Sequence, residues 1–425
     1  MLSAFADEPW ACAFLSGGEG PRARWSYLLR SPDVVLEEAD FEALAALIGS
    51  RLGRHPDGPP FQGGVAGLAC YELGDRVEAV GLKRHPDWPD LAAARYPALL
   101  AFDHERREVL AVGRGEDAEA RAEEAAGWLD APERVGATGV LSTRFEAATP
   151  AADYEAAVAE VIRRIADGEI FQANIARRWA GRLMAGATPF DVLARLAGDA
   201  PAPFAAYLRL PGRAVVSNSP ERFLSVGSGD ELTVETRPIK GTRPRGRTRE
   251  EDAALAAELA ASAKDRAENL MIVDLMRNDL SRVCPAGAVA TPELFRVETF
   301  PNVHHLVSTV TGRLAPGMTA VDLLRAAFPP GSITGAPKVQ AMKVIADYEP
   351  PRGPYCGSMF WAGADGAFDS SVLIRTVGLV EDDDGWRFEA PAGAGIVADS
   401  DPVLEREETE AKIAALRRAL TEPLA

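Results

Sequence analysis

Hydrophobic and polar residues follow different patterns in the two parts of the chain. Before about residue 110, short apolar stretches are separated by glycine and proline, which predicts strands with irregular connections. After residue 150, apolar residues recur at helical spacing, as on the face between Tyr154 and Ile165. The change of pattern predicts an N-terminal subdomain of residues 1–140 and a larger domain of residues 141–425.

The second part mixes helices and strands without the regular alternation of a parallel sheet, so we predict an α+β fold. One long helical stretch is predicted over residues 249–283. The final helix is predicted to begin at Asp401-Pro402, because aspartate suits the N-cap and proline the first helical position. The predicted strands cover residues 170–179, 303–313, 355–363, 368–379 and 386–398.

Composition and charge exclude several classes of protein. The chain has 425 residues, of which 47% are hydrophobic, and a formal net charge of −17. Such an acidic chain argues against binding to nucleic acid or to an anionic membrane. No apolar run approaches the ~18 residues of a spanning helix, and the N-terminus lacks the basic start of a signal peptide. The four cysteines form no CxxC pair, so we predict free, buried thiols in a cytoplasmic protein.

One short segment runs against this acidic character. Its first residues favour a strand, and Gly241 then permits a tight turn or a close approach of the backbone to a ligand. The segment from Thr236 to Gly246 contains four cations, Arg237, Lys240, Arg243 and Arg245. An anionic small ligand and a solvated surface loop explain this cluster equally well.

Two groups of carboxylates stand out on predicted helices. Glu268 shares a helix face with Asp265, while Glu405, Glu408 and Lys412 follow one stripe of the final helix. Carboxylates with few histidines nearby suit a hard cation such as Mg²⁺. The alternative is structural, because acidic residues are common and favourable in the first turns of a helix.

Further candidates come from strands and loops. His304 and His305 are adjacent on a predicted strand, so one side chain points inward and the other outward. Glu221 is a candidate general acid or an ordinary ion-pair partner. The stretch 330–338 lacks the spacing of a nucleotide loop, although its small residues allow a close approach to a ligand. Residues 393–395 form either a strand bend or an anion-binding set of amides.

Together these stretches resemble the chorismate-utilising enzymes, from about Phe61 to Lys412 and most strongly after residue 150. The resemblance implies the α+β fold of the anthranilate synthase component I type, with two packed, mainly antiparallel β-sheets and helices on the outside. The motifs that carry it are Phe171-Gln172-Ala173-Asn174, Ser219-Pro220-Glu221-Arg222-Phe223, Pro238-Ile239-Lys240-Gly241-Thr242, Ala267-Glu268-Asn269-Leu270-Met271-Ile272-Val273-Asp274, Gly331-Ser332-Ile333-Thr334-Gly335-Ala336-Pro337-Lys338, Gly353-Pro354-Tyr355-Cys356-Gly357, Ile374-Arg375-Thr376 and Gly393-Ala394-Gly395-Ile396.

The resemblance also implies roles for residues. Lys240 is implied as a nucleophile that attacks C2 of chorismate, Glu221 as the acid that protonates the departing 4-hydroxyl, and His305 as a further catalytic group. Mg²⁺ is implied as the cofactor, bound by Glu268 and Glu408 with Glu405 nearby. The implied substrate-binding residues are Gln172, Gly241, Thr242, Ser332, Tyr355, Arg375, Gly393, Ala394, Gly395 and Lys412.

Two positions distinguish the branches of this family. Gln172 stands where relatives that add water to chorismate have a lysine, which implies the use of ammonia. Lys240 stands where relatives that make anthranilate usually have alanine. The implied reaction is therefore the formation of 4-amino-4-deoxychorismate, on the way to p-aminobenzoate and folate. The alternatives are anthranilate synthase component I of tryptophan biosynthesis and a non-catalytic chorismate-binding subunit.

The resemblance implies partners as well. A separate glutamine amidotransferase subunit is expected to supply the ammonia, because no glutaminase region is evident in the sequence. Some relatives have a tryptophan pocket, and Ser16, Pro203 and Phe204 fall where it would lie. The Leu-Leu-Glu-Ser motif usual in feedback-regulated relatives does not occur here, which argues against inhibition by tryptophan.

Overall fold

The computed structural model describes residues 1–17, 23–199, 201–229, 231–300 and 303–424. Most of these residues lie in strands or helices. The strands are β1 (Cys12–Leu15), β2 (Trp25–Leu29), β3 (Val34–Leu36), β4 (Gly64–Ala69), β5 (Leu91–Tyr96), β6 (Ala98–Asp103), β7 (Glu108–Gly113), β8 (Glu146–Ala147), β9 (Gln172–Arg182), β10 (Phe204–Leu210), β11 (Arg213–Ser219), β12 (Arg222–Val226), β13 (Thr233–Thr236), β14 (Ile239–Pro244), β15 (Ala290–Thr299), β16 (Val303–Arg313), β17 (Gly335–Ala336), β18 (Ser358–Gly363), β19 (Phe368–Val372), β20 (Thr376–Asp382) and β21 (Gly385–Ile396).

Several helices begin after a residue whose side chain caps their first turn. Asp401, predicted as an N-cap, accepts hydrogen bonds from the amides of Val403 and Leu404 at 2.9 and 3.0 Å. The helices are α1 (Phe41–Ile48), α2 (Ala118–Gly127), α3 (Ala151–Ala166), α4 (Pro189–Asp199), α5 (Arg249–Ala261), α6 (Ala263–Ser281), α7 (Ala320–Ala327), α8 (Lys338–Tyr348) and α9 (Pro402–Thr421).

The strands form two sheets in which neighbouring strands pair antiparallel. The first sheet has the order β17-β9-β21-β20-β11-β10-β1-β2-β6-β7, and β8 also pairs with β9. The second has the order β14-β16-β13-β12-β19-β18-β4-β5-β3, and β15 also pairs with β16. β13 and β14 pair with successive stretches of β16.

A shared core shows that the two sheets pack face to face. Tyr27, Leu99 and Leu208 of the first sheet cluster with Leu68 and Trp361 of the second. On the outer faces, α3, α4, α8 and α9 cover the first sheet, while α1, α6 and α7 cover the second. Burial of these apolar faces on both sides is the main stabilising term. The predicted arrangement of two packed antiparallel sheets with external helices is confirmed.

The strands before residue 140 belong to both sheets. β1 pairs with β10 and β4 pairs with β18, so early and late parts of the chain are neighbours in each sheet. The predicted division into residues 1–140 and 141–425 stays a prediction, and the topology gives no separate sheet to either unit.

Two predicted elements are interrupted. The helix predicted over 249–283 ends at Ala261 and begins again at Ala263, because the Ser262 hydroxyl caps α6 by accepting the Asp265 amide at 3.2 Å. The strand predicted over 368–379 breaks after Val372, where the chain leaves one sheet and enters the other. Arg375, at this crossing, has φ +54°.

The cysteine prediction is confirmed, since Cys12, Cys70, Cys284 and Cys356 are all free and buried. In the described part of the chain, no helix is both long and apolar enough to cross a membrane.

Candidate active site

A cavity of about 690 Å³ collects residues from both sheets and from α6 and α9. Its walls include β14, one end of β21, the loop after β11 and the first turns of α9. The predicted site residues that line it are Glu221, Lys240, Gly241, Thr242, Glu268, His305, Ser332, Tyr355, Arg375, Gly393, Gly395, Glu405, Glu408 and Lys412. Residues that are far apart in sequence therefore share one site.

The basic segment divides into three closely paired arginines and one loosely paired lysine. The arginine pairs are Arg237 with Glu298, Arg243 with Glu258 and Asp265, and Arg245 with Asp252. Lys240 lines the cavity, with Nζ 4.0 Å from Glu268 Oε2. Neither of the two earlier explanations fits all four cations, because the three arginines, including Arg243 at the cavity wall, are held in close ion pairs, whereas Lys240 faces the cavity with a longer one.

Gly395 leaves room for two polar side chains. A Cβ atom at this position would lie 2.7 Å from Lys240 Nζ and 3.3 Å from Gln172 Cδ. Both amide atoms of Gln172 are buried without a hydrogen bond to any residue that the structure describes. An unsatisfied buried amide is costly, and this one lies near Lys240, although Gln172 itself is fully buried and is not among the residues that line the cavity.

Glu221 has the properties of a proton donor. It follows β11, is buried, and lies in the cavity wall. Burial raises the pKa of Glu221 to about 7, although a hydrogen bond with Ser332 and the charge of Lys240 oppose the shift. A carboxyl group with a pKa near neutrality can hold a proton for transfer and then release it.

The adjacent histidines point in opposite directions, as predicted for a strand. His305 lines the cavity, and its Nδ1 lies 2.9 Å from Thr242 Oγ1. His304 is 2% exposed and contacts Asp252 and Thr299, both at 2.9 Å. His304 is therefore a structural group, whereas His305 can reach a ligand.

Cationic groups at one wall suit a carboxylate ligand. The Arg375 guanidinium forms no hydrogen bond or ion pair with any other residue that the structure describes, and burial lowers its pKa despite the opposing charges of Tyr355 and Glu408. Lys412 Nζ donates to Gly393 O at 2.8 Å and lies 2.5 Å from Glu408 Oε1. An unpaired, largely desolvated guanidinium is a strong carboxylate receptor.

Of the carboxylates that line the cavity, Glu268, Glu405 and Glu408 are the predicted metal ligands, and they have the oxygen atoms that Mg²⁺ prefers. Among the described residues, no group of three or more His, Cys, Asp or Glu side chains is placed to hold a metal ion by itself. Burial, and then the charge of Glu408, raise the pKa of Glu405, whose Oε1 accepts a hydrogen bond from Ser400 at 2.6 Å. Glu268 faces Lys240 and Lys264, each at 4.0 Å. These carboxylates fit a cation that completes its shell with substrate and water oxygens, and the cation stays a prediction.

Sequence reasoning missed some residues of the site. Asn174 lines the cavity with a buried Nδ2 that has no described partner, and its position two residues after Gln172 on one strand was the available signal. Lys264 also lines the cavity, one helical turn before Glu268. Conversely, the Ala394 side chain lies in a hydrophobic cluster with Ile175, so only its backbone is available for the predicted role.

The predicted tryptophan-pocket residues meet in a different cavity, of about 410 Å³. Ser16, Pro203 and Phe204 line it together with Trp25 and Asp369. Ser16 Oγ donates to Pro203 O at 3.4 Å. The structure places the three residues together, and the ligand stays a prediction.

Fold and cavity define an enzyme-like site for an anionic small molecule, and the comparison with known proteins gives the family. The sequence matches the chorismate binding enzyme family over residues 18–418, so this chain belongs to that family. It is 44% identical over 360 residues to aminodeoxychorismate synthase component 1 of Klebsiella aerogenes, covering 83% of this chain and 76% of the relative.

Two further similarities bear on the branch and the fold. Anthranilate synthase component 1 of Streptomyces coelicolor is 40% identical over 435 residues, which cover 95% of this chain and 82% of the relative. The crystal structure of anthranilate synthase component I from Streptococcus pneumoniae superposes with a TM-score of 0.82 at 28% identity, covering 94% of this chain and 93% of that one.

Proposed function

We propose that this protein converts chorismate and ammonia into 4-amino-4-deoxychorismate, the activity of an aminodeoxychorismate synthase component 1. The observation that carries the proposal is the position of Lys240, which faces the cavity beside Gln172 while the neighbouring arginines are all paired. The similarity to the Klebsiella aerogenes relative supports the same branch.

Substrate binding follows from the charges of the site. Chorismate carries two carboxylates, and Arg375 and Lys412 provide cations on the cavity wall. Tyr355 and the backbone at 393–395 complete this wall. Bound Mg²⁺, held by Glu268, Glu405 and Glu408, would neutralise a further carboxylate charge of the substrate.

The chain's own residues then account for the chemistry. The Lys240 amine adds to C2, both ring double bonds shift by one position, and the C4–O bond breaks as Glu221 gives its proton to the leaving hydroxyl, which departs as water. Ammonia adds at C4, both double bonds shift back, and the C2–N bond breaks to free Lys240. The new ammonium group at C4 returns a proton to Glu221, so the net reaction exchanges hydroxyl for amine.

The source of ammonia and the cellular location are part of this proposal. A glutamine amidotransferase subunit is proposed as the partner, consistent with the words "component 1" in the names of the relatives. The proposed class is an enzyme that transfers an amino group to chorismate, working in the cytoplasm.

Product identification tests the reaction. The protein is incubated with chorismate, Mg²⁺ and ammonium, and the lyase that releases p-aminobenzoate is then added. We expect p-aminobenzoate. Anthranilate would instead favour the function named for the Streptomyces coelicolor relative, and binding without turnover would favour a non-catalytic subunit.

The Lys240→Ala variant tests the nucleophile. Without the amine, the displacement through C2 is lost, and we expect the rate to fall on the order of 10³-fold or more. Calorimetric titration with chorismate checks that the variant still binds its substrate. A rate close to that of the wild type would remove the covalent role of Lys240 and leave the family assignment intact.

A further inference from the structure

A buried ion pair beside the cavity has no part in the chemistry proposed above. Arg352 lies between α8 and β18 and is 7% exposed. Its Nε and Nη2 bind the two carboxylate oxygens of Glu349 at 2.8 and 2.9 Å. Desolvation of such a pair is expensive unless every remaining donor is satisfied, so its other hydrogen bonds are informative.

Those donors reach two segments of the cavity wall. Nη2 of Arg352 donates to Asn174 O on β9 at 2.6 Å, and Nη1 donates to Ile333 O at 3.2 Å. Ile333 adjoins Ser332, and both line the cavity. Glu349 Oε1 also accepts the Ala176 amide of β9 at 2.7 Å. The pair therefore fixes the separation between β9 and the turn that carries Ser332.

The same arginine supports Tyr355 on a third segment. The Arg352 guanidinium carbon lies 5.8 Å from the centre of the Tyr355 ring, within the range of a cation–π contact. The Glu72 carboxylate holds the segment itself by accepting the amides of Arg352 and Gly353 at 2.6 and 3.0 Å. Tyr355 thus follows directly after a segment that is anchored at two points.

These segments meet at Gly393. A Cβ atom there would lie 2.9 Å from Asn174 Nδ2 and 3.0 Å from Tyr355 Oη, so the three residues are in close contact around one end of the cavity. Arg352 bonds to the backbone of Asn174, and its guanidinium carbon lies 5.8 Å from the ring centre of Tyr355 and 4.7 Å from that of Tyr71. Arg352 therefore contacts both Asn174 and Tyr355, the two residues that meet at Gly393.

We propose that Arg352 is a positioning residue for chorismate: it holds Asn174, the Ser332 turn and Tyr355 at the spacing that the substrate requires. This inference rests on the proposed function, since it takes chorismate as the ligand. Lysine cannot replace Arg352, because a single ammonium group cannot make the forked bonds to Glu349 and reach both carbonyls.

The Arg352→Lys variant tests the inference. We expect the Kd and KM for chorismate to rise about tenfold or more, with a smaller change in kcat, because small displacements of binding groups weaken productive binding. Arg195→Lys is the matched control. Arg195 is 3% exposed and donates to the carbonyls of Ala137 and Ala419 at 3.0 and 3.2 Å, neither of which lines the cavity. This control is expected to lower the thermal stability and to leave KM unchanged.

Calorimetric titration with chorismate and Mg²⁺ separates the outcomes. A wild-type protein that does not bind chorismate would overturn the proposed function. Only the positioning role is overturned if the wild type binds chorismate and a folded Arg352→Lys variant keeps its Kd and KM within about twofold of the wild-type values.

If Arg352→Lys is not recovered folded, Glu349→Gln is measured against the same criterion. If neither variant folds, the pair is a requirement of folding and the positioning role is rejected.

Discussion

Lys240 and Arg243 lie three residues apart on β14, yet their surroundings give them different roles. Arg243 is neutralised by Glu258 and Asp265, at 2.8 and 3.1 Å. Both residues line the cavity, but the ion pair of Lys240 is longer, at 4.0 Å to the Glu268 carboxylate. A cation that is already paired contributes little to a ligand, whereas a loosely paired amine can react. The acidic partners of β14 therefore decide which cation is chemically available.

The buried carboxyl group of Glu221 also leads to a prediction about how the reaction rate depends on pH. Burial raises the pKa of Glu221 to about 7, against the opposing charges of Lys240 and Lys412. The raised value keeps the carboxyl protonated below neutral pH, so the acid form needed for the reaction is lost as the pH rises through 7. We expect the ratio of kcat/KM between the wild type and a Glu221→Gln variant to fall about tenfold per pH unit above this value, because pH effects common to both proteins cancel in the ratio.

The measurement is a profile from about pH 6 to about pH 9, with the concentration of unprotonated ammonia held constant by adjusting total ammonium. Glu221→Gln keeps the shape of the side chain and removes the acid. Below neutral pH its rate is expected to be lower than that of the wild type by about 10²- to 10⁴-fold, and this deficit is expected to shrink as the pH rises above 7. A ratio of wild type to variant that stays constant across this range would contradict the assignment of Glu221 as the proton donor.

At the scale of elements, the sequence was sufficient to predict features that depend only on neighbouring residues. The start of α9 at Asp401-Pro402 and the opposite directions of His304 and His305 were both predictable. The crossing at Arg375 was not, because an apolar strand pattern does not reveal that β19 and β20 pair in different sheets. This crossing, with its left-handed φ of +54°, is what brings Arg375 to the cavity.

In the candidate active site, too, the sequence did not predict contacts between residues that are distant along the chain. Motif resemblance named most of the residues that line the cavity, including Lys240 and Glu221. It did not reveal that Arg352 supports the cavity wall, because only the tertiary fold brings Glu72, Asn174 and Ile333 to this arginine. Periodicity and spacing report on neighbours along one element and carry no information on such distant partners.

The break between α5 and α6 gives an element-scale prediction. Ser262 caps α6, which carries Glu268, and it also lines the cavity. Ser262→Ala is expected to lower the free energy of unfolding by about 1 kcal/mol through loss of the cap. Because the first turns of α6 then fray, the KM for chorismate should also rise.

Thr248→Ala is the matched control, since Thr248 caps α5 by accepting the Glu251 amide at 3.2 Å. Urea unfolding should show a similar loss of about 1 kcal/mol for both variants. Steady-state kinetics should show a raised KM for Ser262→Ala alone. Equal KM values in the two variants would mean that the cap of α6 has no influence on the site.

The whole molecule places its site where two sheets and several helices meet. Lys240 and His305 belong to the second sheet, Gly393 and Gly395 to the first, and Glu408 to a helix outside them. A change in how the sheets pack therefore alters the distances between catalytic groups. The shared core of Tyr27, Leu68 and Trp361 is part of what fixes those distances, although none of its members lines the active cavity.

This dependence leads to a prediction about residues 141–425 expressed alone. Without the first 140 residues, β10 loses its partner β1, β18 loses its partner β4, and part of the shared core is missing. Unpaired strands and exposed apolar faces favour aggregation, so we expect no native fold from the fragment.

The full chain is expected to unfold in one cooperative thermal transition, because both parts contribute to each sheet. Calorimetry of the full chain and circular dichroism of the fragment, alone and co-expressed with residues 1–140, provide the measurement. A fragment with its own sharp transition would show instead that the boundary near residue 140 separates independently folding units.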